Sequence, residues 1–382
     1  MPPRDLLGRP WLQLALLYLL VLGVGLPLFG ADRRLSRYYL GGAEGLQRLT
    51  DQALARSLER AEEAERYFRD TPQWREEEEE EKGPPGLTLA IVTTARRQGA
   101  EHRYFLQVAA AYHRLLHLCP WCGRARLFAC NVHHPPEDHA LPRRARSLIP
   151  EVRRFGEEGS PPAPEDDPFE KEKADYLFCL GRALASGARH VLLAEDDALP
   201  RPDLFPVLGD VLGRRLQGRR PLYVKLYHPE RLQGYLHPEP ARLLEWAGLG
   251  ALGGSLLRWL LPAPAGRRSR RSLAALAALC MLAAELGGRV YLLELRRLSP
   301  QLYALAPASH CCTPAMAFTA DGARRAMAYL GERRCRRGYA KDTALYEAAR
   351  QHSEEAYVVE PNLVWHIGLY STLRGYIARP SL

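Results

Sequence analysis

Three consecutive carboxylates carry the most specific chemical signal in this chain. Glu195, Asp196 and Asp197 follow the apolar run 190–194, which has the composition of a buried strand. In open α/β folds, residues at such a position lie at the carboxyl edge of the sheet, where ligands bind. Three acids in apolar surroundings repel one another unless a cation neutralises them, and carboxylate oxygens suit Mg²⁺ or Mn²⁺. The triplet therefore predicts a divalent-metal site that bridges to a diphosphate, with helix capping into residues 198–200 as the alternative.

A histidine near the end of the chain offers a further metal ligand. His366 stands in a His-x-Gly motif, and a late loop that carries it could supply an imidazole to the same ion. A histidine on its own is more often structural, so the assignment of His366 depends on the triplet. The predicted metal ligands are Asp197, Glu195 and His366.

The end of the first predicted strand offers groups that could bind a nucleotide. Backbone and hydroxyl groups of Val92, Thr93 and Thr94 could hold uracil and ribose, and Arg96 or Arg97 could contact phosphate. The alternative is that these are ordinary residues at the end of a strand.

Asp342 is the candidate for acid–base chemistry. It stands where a predicted helix begins. It could be the N-cap of that helix, or a general base that takes the proton from an acceptor hydroxyl in an inverting displacement.

The elements that must position these residues alternate between strands and helices. Strands are predicted at 87–94, 126–132 and 190–197, with helices at 101–118 and about 170–187 between them. This order indicates an α/β domain with a mostly parallel sheet. The proline-rich segment 133–168 is predicted to be a loop. The later predicted elements are strands at 222–227, 315–319 and 356–359 and helices near 321–331 and 342–351.

Two apolar stretches interrupt this pattern. Leu243–Ala263 and Ser272–Leu295 are each about 20 residues long, enough to cross a bilayer as helices, and only the basic run 264–271 separates them. Such a hairpin returns the chain to the side it left, so that the flanking segments can belong to one domain. Glu285 and Arg289, one helical turn apart, could pair with each other, and small residues on both helices would permit close packing. A soluble helical hairpin is the alternative.

A third apolar stretch, Trp11–Phe29, is long for a signal peptide and is interpreted as an uncleaved anchor, with cleavage after Gly30 or Ala31 as the alternative. The arginines of the hairpin loop place that loop in the cytosol, and hence the globular parts in the lumen. The predicted organisation is a cytosolic tail (1–10), an anchor (11–30), a luminal stem (31–86), the first part of the catalytic domain (87–242), the hairpin (243–295, with the cytosolic loop 264–271) and the second part of the catalytic domain (296–382).

The composition fits a membrane-tethered globular enzyme better than a transporter. The chain has 382 residues, of which 25% are charged, and its mean hydropathy is −0.29. The pI of about 9.2 comes largely from scattered arginines. Because no basic stripe with interleaved aromatic residues is visible, nucleic acid is not an expected partner.

Eight cysteines fit an oxidising lumen better than a reducing cytosol. The spacing Cys119-Pro-Trp-Cys122 is also typical of redox and zinc sites, but no second pair completes a zinc set, so a structural disulfide is favoured. The hypothetical pairs are Cys119–Cys122, Cys130–Cys179 and Cys311–Cys312, and Cys280 is expected to be free.

The triplet resembles the acidic metal motif of GT-A glycosyltransferases, which hold nucleotide-sugars through a divalent ion. Nearly the whole chain resembles the post-GPI attachment to proteins factor 4 family of Golgi GPI N-acetylgalactosamine transferases, whose GT-A domain is split by a transmembrane hairpin. The resemblance rests on the anchor, the hairpin and the segments LAIVTTARR (89–97), AEDD (194–197), VKLYHPERLQGY (224–235), CCTPAMAFT (311–319) and NLVWHIGLYSTL (362–373).

This resemblance implies a multi-pass Golgi membrane enzyme with three transmembrane segments and a luminal catalytic domain. It implies transfer of GalNAc from UDP-GalNAc, with inversion and in β1,4 linkage, to the first mannose of the glycan on GPI-anchored proteins. By position, Val92 and Thr93 would line the nucleotide and Asp197 would hold Mn²⁺. Glu195 and Asp196 would contact ribose or sugar, and Asp342 would be the base.

Two other functions are compatible with the same residues. One is a GT-A enzyme of the same architecture that uses a different sugar donor or glycan acceptor. The other is a non-enzymatic membrane scaffold whose acids are structural. The residues alone do not identify the donor sugar, because Gal, GlcNAc and GalNAc pockets differ by few contacts.

The hairpin interpretation makes a topological prediction. A tag inserted at Ser269 is expected to face the cytosol, whereas tags at Glu76 and Leu382 are expected to be luminal, because two crossings return the chain to the lumen. Antibody access in cells whose plasma membrane alone is permeabilised measures the side of each tag. A luminal Ser269 tag would contradict the hairpin.

Overall fold

A computed structural model describes residues 10–72, 84–122, 124–161, 163–236, 240–261 and 270–370. The acidic run 76–81, the end of the chain after 370 and most of the predicted tail 1–10 and loop 264–271 lie outside the described residues. The described residues form two compact units. One contains those up to Thr50 and those of Pro229–Arg296, and the other contains those of Asp51–His228 and those from Arg297 onwards.

The second unit is built on a mixed sheet. The described strands are β1 (Leu87–Thr93), β2 (Ala125–Asn131), β3 (Glu151–Arg153), β4 (His190–Glu195), β5 (Ala198–Pro200), β6 (Tyr223–Lys225), β7 (Ala304–Pro307), β8 (Ala315–Thr319), β9 (Ala356–Glu360) and β10 (Val364–His366). Eight of them pair in the order β3-β2-β1-β4-β8-β6-β9-β7, in which β8 and β7 run antiparallel to the other six. The prediction of an α/β fold with a mostly parallel sheet is thus confirmed.

Helices cover both faces of this sheet, which explains the continuous apolar runs of its central strands. Leu89 and Ile91 of β1 belong to one buried cluster, and Ala90 and Val92 belong to the other or pack against it. The helices of this unit are α3 (Gly42–Asp70, from Asp51 onwards), α4 (Tyr104–His117), α5 (Ala140–Ala145), α6 (Pro168–Ala185), α7 (Leu204–Asp210), α11 (Ala320–Gly331) and α12 (Lys341–Gln351).

The helix starts are specified locally. Asp167 caps α6 by accepting a hydrogen bond of 2.8 Å from Phe169 N–H, and Thr319 caps α11 by accepting one of 3.0 Å from Gly322 N–H. In α3, Ala61, Ala64 and Phe68 are buried. This part of the predicted stem 31–86 is therefore a helix with a packed face.

The loop predicted at 133–168 is partly wrong, because it contains α5 and β3. The edge strand β3 has only three residues, too few to show a period-two pattern, and it is fixed by pairing with β2. The segment is nevertheless held without long elements, since Asn131 donates to the carbonyl of Pro136 and the carboxylate of Glu151.

The first unit contains α1 (Pro10–Leu20), a π-helical turn (Val21–Gly25), α2 (Leu26–Gly30), the start of α3, α8 (Pro240–Leu260), α9 (Arg270–Gly287) and α10 (Arg289–Leu293). Among the described residues, Trp11–Gly30 alone is long and apolar enough to cross a membrane as one helix. A second candidate is the pair Arg270–Gly287 and Arg289–Leu298, bent by 99°. The three-span arrangement and the hairpin stay predictions.

The predicted pairing of Glu285 with Arg289 is wrong. Gly288, with a φ of +99°, ends the helix between them, so the two residues are not one turn apart on a continuous helix. Arg289 instead pairs with Glu245 of α8 at 2.6 Å, and Glu285 accepts a hydrogen bond from Tyr235 N–H. Arg289 thus connects α10 to α8, and Glu285 contacts the segment that precedes α8.

The close packing predicted for α8 and α9 is present. A Cβ added at Gly254 would lie 2.6 Å from the backbone nitrogen of Ala277, and one added at Gly250 would lie 2.5 Å from the side chain of Met281. The backbone of α9 leaves no room for a side chain at position 254. The glycines therefore set the distance between these two helices.

Gly254→Ala is expected to destabilise the protein by about 1–3 kcal/mol, because the new methyl group must push two helix backbones apart. Thermal unfolding of the detergent-solubilised protein measures the change. Gly248→Ala is the matched control, since Gly248 lies on the same helix and a Cβ there meets nothing within 4 Å. Equal melting temperatures for the two variants would contradict the packing argument.

Candidate functional site

The register of the central strands brings two of the sequence-predicted segments together. β1 and β4 run parallel with Val92 opposite Glu195, so both strands end at the same edge of the sheet. Thr93 and Asp196, one residue further on, are joined by a hydrogen bond of 2.8 Å from the threonine hydroxyl to the carboxylate. The strand end at 92–94 and the carboxylate triplet therefore form one site.

Asp196 is held by groups that sequence reasoning did not assign to it. Besides Thr93, Arg96 donates to it from Nη2. The Thr93 hydroxyl also lies 2.8 Å from Nε2 of His139, and burial lowers the pKa of this histidine to about 4. A neutral His139 with its proton on Nε2 can donate to Thr93, which in turn donates to Asp196. Burial still raises the pKa of Asp196, although Arg96 opposes the shift.

A short antiparallel ribbon brings the tail histidine to the triplet. β5 follows the triplet directly and pairs with β10, with His366 opposite Ala198. The ribbon continues with a hydrogen bond of 2.9 Å from Ile367 N–H to the carbonyl of Asp197. The helix-capping interpretation of the triplet is therefore wrong, because the residues that follow it form a strand.

Asp197 lies between two cationic groups. Its Oδ2 is 2.9 Å from Nη2 of Arg96, and its Oδ1 is 3.5 Å from Nε2 of His366. Although burial disfavours both charges, each stabilises the other. The pKa of Asp197 is therefore well below its usual range, and the pKa of His366 is raised to about 9.

Glu195, Asp197 and His366 each offer one ligand atom, and these three atoms lie within 4.8 Å of one another. Among the described residues, no hydrogen bond reaches Oδ1 of Asp197, although this oxygen is buried. A buried carboxylate oxygen without a hydrogen bond is costly unless another partner approaches it. Two carboxylates and an imidazole are a donor set that fits Mn²⁺ or Mg²⁺.

Glu195 has a cationic partner that the sequence did not predict. Lys341, at the start of α12 and only 6% exposed, lies 3.1 Å from Glu195 and 2.6 Å from Glu172. These carboxylates raise the pKa of Lys341 well above its usual value, against the effect of burial. Burial outweighs Lys341 in its effect on Glu195, whose pKa is raised.

Asp342 stands next to this lysine. It is not the N-cap of α12, a position taken by Ala340, but lies in the first turn. Its Oδ1 accepts a hydrogen bond of 2.8 Å from Thr343 N–H, and its Oδ2 accepts one of 3.0 Å from Cys312 N–H. The structure thus places the candidate base beside the residue that contacts Glu195, but outside the group of three ligand atoms around Asp197.

The remaining sequence-predicted residues lie nearby. Thr94 is 3.1 Å from Nδ1 of His133, and Val92 packs against a buried cluster of the sheet. Arg96, for which a phosphate contact was predicted, contacts Asp196, Asp197 and the backbone carbonyl of Tyr370. The roles of these residues in binding a nucleotide stay predictions.

The three hypothetical disulfides are confirmed. Cys119–Cys122 is local, Cys130–Cys179 joins β2 to α6, and Cys311–Cys312 joins neighbours along the chain. Cys280 is free, as expected, and Cys335 is a second free cysteine.

Gly368, the last residue of the His-x-Gly motif, has a steric role at this site. A Cβ added there would lie 2.0 Å from Oδ2 of Asp197 and 2.7 Å from its Cγ. Only glycine lets the carboxylate occupy its position. The spacing of glycine from histidine in the motif was therefore a signal for Gly368 as well as for His366.

Gly368→Ala is expected to lower the affinity for Mn²⁺ by about 10–100-fold, because the methyl group displaces a proposed ligand. Isothermal titration of the purified protein with Mn²⁺ measures the affinity. Gly331→Ala, where a Cβ meets nothing within 4 Å, is the control. Unchanged binding in the Gly368 variant would argue against Asp197 as a ligand.

Comparison with known protein families gives a match that includes the triplet and Asp342. Residues 87–365 match the family described as GPI-N-acetylgalactosamine transferase PGAP4. The match spans well over half of the 382 residues and ends just before His366. It also includes the candidate nucleotide-binding strand end and runs across the inserted segment 229–296. The chain therefore belongs to the GPI-N-acetylgalactosamine transferase PGAP4 family, a family of glycosyltransferases.

Proposed function

We propose that this protein transfers N-acetylgalactosamine from UDP-GalNAc, in β1,4 linkage and with inversion, to the first mannose of the glycan on GPI-anchored proteins. The observation that carries the proposal is the group of Glu195, Asp197 and His366 at the carboxyl edge of the sheet. A glycosyltransferase of a GPI-directed family can use such a site to bind a nucleotide-sugar diphosphate. We place the reaction in the Golgi lumen, with Trp11–Gly30 as a membrane anchor.

The donor would bind along the ends of β1 and β4. Val92, Thr93 and Thr94 would line the uracil and ribose, since β1 ends beside the triplet. Arg96 and Thr93 fix Asp196, so that this carboxylate can accept hydrogen bonds from ribose or sugar hydroxyls without rearranging.

A divalent cation, Mn²⁺ or Mg²⁺, would be held by Asp197, His366 and Glu195, and when bound it would neutralise charge on the diphosphate. Oδ1 of Asp197, which is buried 3.5 Å from His366 and accepts no hydrogen bond from a described residue, supports this assignment. Lys341 would keep Glu195 oriented in the group.

Asp342 would act on the acceptor. Its carboxylate takes the proton from the attacking mannose hydroxyl while the oxygen of that hydroxyl forms a bond to the anomeric carbon. The bond from this carbon to the diphosphate oxygen breaks, and UDP leaves with the electron pair. Hydrogen bonds from Thr343 and Cys312 occupy one position on each carboxylate oxygen, and each oxygen can accept another.

Asp197→Ala is expected to reduce transfer by at least about a hundredfold, because loss of a metal ligand removes several kcal/mol of charge stabilisation. Wild-type and variant proteins are expressed in cells that lack the activity, and GalNAc on released GPI glycans is measured. The same proteins are purified and assayed for Mn²⁺-dependent turnover of UDP-GalNAc.

Asp321→Asn is the matched control, since Asp321 is a surface residue paired with Arg220 and Arg325. It should transfer GalNAc at the wild-type level. Wild-type turnover of another nucleotide-sugar instead of UDP-GalNAc would favour a different donor. Full activity in the Asp197 variant would refute the metal site. Absence of turnover of any nucleotide-sugar by the purified wild-type protein would favour the scaffold.

A further inference from the structure

A loop between β7 and β8 connects the two proposed halves of the site. Residues 308–314, which we call the disulfide loop, contain the Cys311–Cys312 pair. At its end, the carbonyl of Pro314 accepts a hydrogen bond of 2.7 Å from Glu195 N–H. Within it, Cys312 N–H donates to Asp342 at 3.0 Å. One short segment therefore contacts both the carboxylate triplet and the candidate base.

A buried lysine of the sheet holds the same loop through hydrogen bonds to its backbone. Lys225, at the end of β6, is only 1% exposed and donates to the carbonyls of Ser309 (2.8 Å) and Cys311 (2.9 Å). Burial of an ammonium group is costly unless its protons are satisfied, so these two bonds strongly favour one loop conformation. The loop is thus held at its start by Lys225 and at its end by Glu195.

Between these two anchors the backbone takes an uncommon conformation. Cys312 has a φ of +67°, in the left-handed region that residues other than glycine seldom adopt. Such conformations persist only where the surroundings enforce them, and they cluster at functional sites. Here the covalent link between adjacent side chains closes a small ring around the Cys311–Cys312 peptide, and the N–H group of that peptide is the one that holds Asp342.

We propose that the Cys311–Cys312 disulfide is a positioning element for the acceptor side of the reaction: it locks the disulfide loop so that Cys312 N–H holds the Asp342 carboxylate at a fixed place relative to Glu195. This inference rests on the proposed function, in which Asp342 is the base. The sulfur atoms lie within 4.8 Å of a carboxylate oxygen of Asp342, so the disulfide also walls the space beside that group.

The physical consequence is a separation of donor binding from transfer. Among the described residues, no hydrogen bond or ion pair joins Asp197 or His366 to the two cysteines, and the loop reaches Glu195 only through the backbone of Pro314. Loss of the disulfide should therefore leave metal and nucleotide binding in place. Misplacement of a general base by about 1 Å can cost on the order of a hundredfold in rate. The effect should therefore fall on kcat for transfer.

The test uses the purified protein with Cys311→Ala and Cys312→Ala combined, so that neither cysteine of the pair is left as an unpaired thiol. We expect kcat for transfer to a soluble GPI glycan to fall about 10–100-fold, while the Kd for UDP in the presence of Mn²⁺ changes by less than about twofold. The control combines Cys119→Ala and Cys122→Ala, which removes another local disulfide after α4. It should keep the wild-type kcat.

A double-mutant cycle with Asp342→Asn shows whether the disulfide acts through this residue. If it does, the triple variant should be no slower than Asp342→Asn alone, because the positioned group is already lost. Effects that multiply would overturn the proposal, as would a wild-type kcat in the Cys311/Cys312 variant.

Equal losses of UDP binding and transfer would also overturn it, since a merely structural disulfide would weaken both. Wild-type protein that does not turn over UDP-GalNAc would contradict the proposed function and this inference together. An active wild-type enzyme with an unaffected Cys311/Cys312 variant would contradict the inference alone.

Discussion

Repulsion among three adjacent carboxylates is the constraint to which the rest of the site responds. Glu195, Asp196 and Asp197 end a buried strand. Asp196 and Asp197 are buried and Glu195 is half-buried, so water screens their charges poorly. Each meets a different set of partners: Lys341 at Glu195, Thr93 with Arg96 at Asp196, and Arg96 with His366 at Asp197. These partners come from the end of β1, the start of α12 and β10. The carboxylates can therefore be buried together only after distant segments of the chain have assembled around them.

Backbone pairing supplies that assembly. The parallel register of β1 and β4 fixes Thr93 beside Asp196, and the ribbon of β5 and β10 fixes His366 beside Asp197. The sheet also contains strands from both sides of the inserted segment in the sequence. β8 and β9 follow that segment and pair with β4 and β6, which precede it. Main-chain hydrogen bonds thus bring the residues that carry the charged groups together, and their side chains then form the ion pairs. A site positioned in this way tolerates a long insertion between its parts.

Much of this fold could be predicted from the sequence. Apolar runs mark β1, β2, β4 and β8, and helical periodicity marks the helices between them. The elements that complete the site could not. β5 and β10 have three residues each, too few for a pattern, and their pairing is a tertiary event. The carboxylate triplet and His366 could be linked from the sequence, because carboxylates and imidazole can be ligands of the same divalent cation. The roles of Lys341 and His139 and the contacts of Arg96 with carboxylates could not be predicted in this way. These contacts join residues that are far apart along the chain, and no sequence motif marks them. Gly368 was within reach, because it belongs to the His-x-Gly motif.

Charge balance gives a reason why this site suits a divalent cation. Counted as ionised, the four carboxylates of Glu172, Glu195, Asp196 and Asp197 face the permanent cations Arg96 and Lys341. Two negative charges remain, and without a metal the raised pKa of His366 lets a protonated imidazole offset only one of them. A neutral His366 can be a ligand, and one divalent cation would neutralise the two negative charges that are then left. Arg96 already holds Asp196 and Lys341 already holds Glu195, whereas the buried Oδ1 of Asp197 accepts no hydrogen bond from a described residue. The pattern of ion pairs thus concentrates the uncompensated charge on the side of Asp197 that faces His366.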